Sequence, residues 1–176
     1  QKKFDQRHEQ RLITELLELL VTHHGGGMSE EELDRNIEHF HAAINLGRTS
    51  HKGQLRKSGE PYFFHPLRVA HLSARHWMGF PSVIAALLHD VVEDTPVSLS
   101  QVEKKFGAEV ALLVNGLTKA ADEKLSREVL KEKTYRKQLL AAVDDVRVLC
   151  LKFWDRIDNL RTIGALPPTK QSLIAE

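Results

Sequence analysis

Along almost the whole chain apolar residues recur three and four positions apart, and no run of strand-like alternation is convincing. Residues at that spacing share one face of a helix, so the chain is expected to be all-α, a bundle of amphipathic helices around one core. At 176 residues and 41% hydrophobic it is long enough for a single domain with a proper interior. Leu12, Ile13, Leu16, Leu17, Leu20 and Val21 mark a first helix, ended by Gly25, Gly26 and Gly27. Ser29 with Glu32 reads as a capping box for a second, whose stripe is Leu33, Ile37, Phe40 and Ile44. A polar basic loop is expected over 47–60, then helices over 66–76 and 81–93. Ser100 with Glu103 reads as another capping box, opening a short helix that Gly107 ends, and further helices follow over 108–121, 127–143 and 145–165. The expected organisation is one domain over 1–176, with an N-terminal helix in 1–24 and the core in 29–176.

The 81–93 segment carries Leu87-Leu88-His89-Asp90-Val91-Val92-Glu93-Asp94. On a helix His89 stacks over Glu93 and Asp90 over Asp94, while Leu87, Leu88, Val91 and Val92 bury the other face. A His-Asp pair is commonplace by itself. With two more carboxylates one turn along in so apolar a helix, core packing is the weaker explanation, because burying four ionisable groups without partners or a metal costs several kcal/mol. A metal-dependent phosphohydrolase is the reading that fits.

His65, in Tyr62-Phe63-Phe64-His65-Pro66, is a second imidazole, and Asp155 is the best candidate for a further ligand. Asp155, Asn159 and Thr162 fall on one polar stripe of the 145–165 helix. Alone that stripe would be a solvated surface; beside the His-Asp segment it reads as a ligand followed by groups that contact substrate. Ile157, Leu160 and Ile163 are expected to pack inward, and Arg156 and Asp158 to be surface or salt-bridge residues. Arg56 and Lys57 lie on a loop bordered by Gly53 and Gly59. Such a basic pair ordinarily serves solubility, but here it suits a phosphorylated or aromatic-base ligand.

The net charge of +1 gives no polyelectrolyte character, so no stable nucleic-acid partner is expected and phosphate binding must be local. The single cysteine, Cys150, excludes an intramolecular disulfide, fits a reducing cytoplasm and is expected to be a buried small hydrophobe. No run is long enough to cross a bilayer and the N-terminus is too polar for a signal peptide. The first residue is not Met, which suggests a processed or excised fragment.

Over 42–176 the chain resembles the hydrolase domain of the Rel/Spo-homologue family, long bifunctional enzymes that make and destroy the guanosine alarmones ppGpp and pppGpp. The resemblance rests on the run from His51 to Tyr62 with Arg56-Lys57-Ser58, His65-Pro66-Leu67, Ala85 through Thr95 with His89-Asp90 and Glu93-Asp94, and Phe106-Gly107. It continues through Gly116-Leu117-Thr118-Lys119, Asp145 through Leu149, Asp155-Arg156 and Asn159-Leu160-Arg161-Thr162. It implies an HD-domain helical bundle with Mn²⁺ at His65, His89, Asp90 and Asp155, and catalytic Glu93 and Asp94 handling the attacking water. It also implies Arg56 and Lys57 flanking the guanine, with Ser58, Asn159 and Thr162 near the nucleoside. The implied reaction takes guanosine tetra- or pentaphosphate to GDP or GTP plus pyrophosphate, in a longer protein with synthetase and regulatory domains. Two departures stand out: Phe153-Trp154 replaces a usual Leu-Ala, and Asp158 stands where His is common. The alternatives are another HD nucleotide phosphohydrolase such as an NADPH phosphatase, a catalytically silent alarmone-binding regulatory domain, and a helical interaction module with incidental acids.

Overall fold

The computed structural model describes residues 6–120, 125–169 and 171. It is all-helical: among these residues the only β contact is an isolated antiparallel bridge between Leu55 and Pro61. Helix α1 (Gln6–His24) lays Ile13, Leu16 and Leu20 into the core and packs on α3 (Phe64–Arg75). Helix α2 (Glu30–Ser50) starts where Ser29 accepts from the Glu32 N–H at 3.2 Å, as the cap pattern predicts. It does not stop at Gly47, where a loop is expected, but runs on to Ser50. A Cβ on Gly47 would lie 2.5 Å from Phe63 Cε2 and 3.2 Å from the Leu87 carbonyl oxygen, so this glycine permits close packing and breaks nothing.

Helix α4 (Phe80–Leu88) is the centre of the molecule, with Phe80 and every residue from Ser82 to Leu88 buried, against α2, α3 and α7 (Ala108–Leu117). A helix apolar on all sides belongs inside. The turn leading into it holds Trp77 at a left-handed φ of 61°, its ring stacked on His23 at 4.0 Å. The helix expected over 81–93 is two pieces: α4 ends at Leu88, His89 and Asp90 form a turn, and α5 (Val91–Asp94) follows. Both turn residues keep right-handed backbone angles, so the chain direction bends while its sense continues.

Helix α6 (Leu99–Phe106) is capped by Ser98, not Ser100: Ser98 Oγ accepts from the Gln101 N–H while Gln101 Oε1 accepts from the Ser98 N–H at 2.8 Å. The reciprocal partner is Gln101 three residues on, and the same logic placed two residues late picks Ser100. Gly107, at φ 90°, turns the chain into α7. Helices α8 (Arg127–Asp144) and α9 (Val146–Arg161) close the bundle. The helix expected over 108–121 stops at Leu117, where Thr118 takes up extended angles, and residues 121–124 lie outside the described residues.

Helix α9 turns a face inward that differs from the expected one. Its buried residues are Val148, Leu151, Asp155 and Asp158, whereas Leu160 is 41% exposed and Cys150 is exposed too. Contacts with α3 and α7 select this face. No helix among the described residues is long and apolar enough to cross a membrane.

Candidate metal centre

Three elements bring the site together: the start of α3 supplies His65, the α4–α5 turn supplies His89 and Asp90, and the middle of α9 supplies Asp155. His65 Nε2 lies 3.2 Å from Asp155 Oδ1 and 3.7 Å from Asp90 Oδ2; His89 Nε2 lies 3.2 Å from Asp90 Oδ1 and 3.9 Å from Asp155 Oδ1. Ligand atoms of His65, His89 and Asp155 all fall within 4.8 Å of one another. Asp90 borders this buried trio at the distances just given.

The far nitrogens explain why the near ones fit a cation. His89 Nδ1 sits 2.8 Å from the Ala86 carbonyl oxygen, which can only accept, so Nδ1 carries the proton. Its Nε2 is left buried and without a hydrogen-bond partner. His65 Nδ1 faces the Asp158 carboxylate at 2.8 Å in the same way. Metal-binding imidazoles are oriented by such outer partners. Two lone pairs aimed at two carboxylates repel unless positive charge lies between them, and the donor set of two N and two O suits a borderline divalent ion.

The electrostatics show the same demand for positive charge between these groups. Burial works against a charged His65, yet Asp155 and Asp158 within hydrogen-bond reach and the charge of Asp90 raise its pKa above the usual imidazole value, so a proton competes with a cation for Nε2. Burial would push Asp155 up, but its bond to His65, the charge of His89 and Lys152 hold it far below the carboxylate range. Lys152 Nζ donates to Asp155 Oδ2 at 2.9 Å and Asn159 Nδ2 to Oδ1 at 2.6 Å.

All the residues singled out in the sequence except Asp94 line one cavity of about 520 Å³. Glu93 lies in its wall, where Lys119 donates to it from the backbone and, at 2.6 Å, from the ammonium. Asp94 is exposed and reaches the centre only through Tyr62, whose hydroxyl lies 2.9 Å from Asp94 Oδ2 and 3.0 Å from Asp90 Oδ2. Burial and those two carboxylates push the Tyr62 pKa well up, so its proton stays on. Arg56 donates to Asn159 Oδ1 at 2.7 Å and to Thr162 Oγ1 at 3.3 Å, while Lys57 and Ser58 stand exposed at the rim.

Sequence reasoning missed Tyr62, Lys119 and Lys152, and of its two readings of Asp158, surface or salt bridge, only the second holds. That residue does form ion pairs, with Arg56 and Arg68, but it is completely buried and not at the surface. The signal was available, since Val148, Leu151, Asp155 and Asp158 repeat at intervals of three, four and three, so an inward Asp155 carries Asp158 with it. Phe153 is 59% exposed, and Trp154 stacks on His76 at 4.2 Å, so the bulky pair leaves Asp155 facing the histidines.

An HD-domain family model matches residues 43–176. A guanosine-3′,5′-bis(diphosphate) 3′-pyrophosphohydrolase of Haemophilus influenzae is 43% identical over 74% of this chain, and the bifunctional (p)ppGpp synthase/hydrolase SpoT of Escherichia coli is 41% identical over 79%. The chain spans about a fifth of the length of these curated relatives, 20% in each case. Among solved structures, a metazoan ortholog of SpoT described as hydrolyzing ppGpp superposes with a TM-score of 0.65 at 30% identity, covering 77% of this chain and 78% of that one. With that match over most of both chains and a family model over residues 43–176, the chain belongs to the HD-domain family, in its Rel/Spo-homologue branch.

Proposed function

We propose that this domain hydrolyses guanosine 3′,5′-bis(diphosphate), and the corresponding pentaphosphate, at the ribose 3′ position. Water oxygen bonds to the phosphorus attached to the 3′ oxygen, the P–O3′ bond breaks, the 3′ oxygen ends protonated and pyrophosphate leaves, giving GDP or GTP. The observation that carries this reading is the pair of buried imidazoles, each with an outer oxygen in place to accept from Nδ1 and each turning Nε2 toward Asp90 and Asp155. The activities named for the relatives support the substrate class.

His65, His89, Asp90 and Asp155 would hold Mn²⁺. When bound, the ion would acidify a coordinated water and polarise the 3′ phosphate. Glu93 in the cavity wall would orient the attacking water and take its proton, and Asp94 would act on the centre through Tyr62, whose hydroxyl also reaches Asp90. Arg56, oriented by Asn159 and Thr162, presents its guanidinium plane to the guanine, with Lys57 and Ser58 beside it at the rim. The extra length of the relatives supports a longer parent protein with synthetase and regulatory parts, and the single unpaired Cys150 suits a reducing cytoplasm.

The test is pyrophosphate release from ppGpp with Mn²⁺, expected from the wild type and abolished by chelator or by Asp90→Ala. Bound metal without pyrophosphate at high protein concentration would instead indicate a silent alarmone-binding domain. Faster turnover of NADPH than of ppGpp would indicate a different HD phosphohydrolase.

A further inference from the structure

Asp158 has no oxygen to spare for a metal. Its Oδ1 accepts from Arg68 Nε at 2.7 Å, and its Oδ2 accepts from His65 Nδ1 at 2.8 Å, Arg68 Nη2 at 3.0 Å and Arg56 Nη1 at 3.3 Å. Arg68 also grips buried Glu60 through two bonds of 3.0 and 2.7 Å. Two carboxylates and two guanidiniums thus balance, and this neutral cluster keeps Asp158 ionised without help from any ion.

An ionised carboxylate beside Nδ1 can only accept, and Asp158 at 2.8 Å is nearer to Nδ1 than Asp155 at 3.2 Å is to Nε2, so the His65 proton is favoured on Nδ1 and the lone pair on Nε2. Without that acceptor the alternative is close at hand. Asp155 Oδ1 lies 3.2 Å from Nε2, so His65 could donate there, and a proton would occupy the space a cation needs. The same Asp158 oxygen also accepts from Arg56, a residue that lines the same cavity.

We propose that Asp158 is a positioning residue that keeps His65 Nε2 free for the metal and, through one shared oxygen, ties that imidazole to Arg56. One carboxylate thereby sets both the metal end and the nucleotide end of the cavity. This rests on the metal reading above. In Asp158→Asn the amide has one acceptor and one donor, so whichever way it turns its NH₂ meets an N–H of His65 or of Arg68.

The test uses the full chain. Free Mn²⁺ is followed by electron paramagnetic resonance, and Asp158→Asn is expected to raise the Mn²⁺ Kd by about 10- to 100-fold, the usual cost of losing an outer partner. The Mn²⁺ concentration that half-activates pyrophosphate release should rise in parallel, with kcat largely recovered at saturating metal, which a merely structural defect would not allow. A second measurement needs no variant: imidazole ¹⁵N resonances of the metal-free wild type at alkaline pH should place the His65 proton on Nδ1. A proton on Nε2, or an unchanged Kd in a folded Asp158→Asn, overturns the role of Asp158 alone. A wild type that binds no Mn²⁺ overturns this proposal together with the metal reading.

Discussion

At the scale of single residues the site is a contest between burial and partners, and partners win. Asp158 shows the sign. Burial would raise its pKa, but bonds to His65 and Arg68 hold it at about 2. A carboxylate depressed in the fold contributes stability that is fully present above its ordinary pKa of about 4 and is lost as pH falls toward 2. Chemical denaturation of the metal-free chain between those limits should therefore show stability falling with acid, less steeply in Asp158→Asn; equal slopes would mean that other carboxylates carry the effect. Much of this site was legible residue by residue, because His89-Asp90, Glu93, Asp155 and Arg56 are chemically conspicuous at helical spacing. Tyr62 was not, since a tyrosine before a histidine reads equally well as core, and only a fold that brings it against Asp90 and Asp94 turns its hydroxyl into part of the centre.

At the scale of elements the decisive feature is how closely α2 approaches the two segments that carry the imidazoles. Phe63, two residues before His65, and the Leu87 carbonyl, two before His89, both press on Gly47. Gly47→Ala gains about 1 kcal/mol in helix propensity, but overpacking of this kind costs about 1–3 kcal/mol. A net loss of stability is expected, with weaker Mn²⁺ binding as His65 and His89 are pushed apart. Gly26→Ala, where an added methyl meets nothing within 4 Å, should leave both nearly unchanged. Equal melting temperatures for the two variants would show that the close approach is not needed. Periodicity finds that a helix exists but is a poor guide to where it ends: it opened a loop at Gly47, merged α4 with α5, and moved the α6 cap to Ser100. At Gly47 the arbiter is packing from elsewhere in the chain, whereas the α6 cap is settled by a local bond between Ser98 and Gln101.

At the scale of the molecule, His65, His89, Asp90, Asp155 and Asp158 are drawn to the edge of a core whose central helix is almost wholly apolar. A folded site that binds Mn²⁺ and an unfolded chain that does not imply stabilisation by mass action, about 2.7 kcal/mol at a hundredfold excess over Kd. Differential scanning calorimetry should show the melting temperature rising with Mn²⁺ and falling back with chelator, an effect absent in Asp155→Asn. A metal-independent melting temperature in the wild type would count against the centre. The order of residue types along the chain by itself determined an all-helical fold, the pairing of His89 with Asp90, and the segments from which the remaining site residues come, because helical spacing and ionisable groups in apolar runs are local properties. Only tertiary structure decided which face of α9 turns inward, that Asp158 is buried beneath His65, and that Asp94 stays outside the cavity. Those outcomes depend on which helices pack against which, and residues as far apart as His65 and Asp158 meet only once α3 and α9 do.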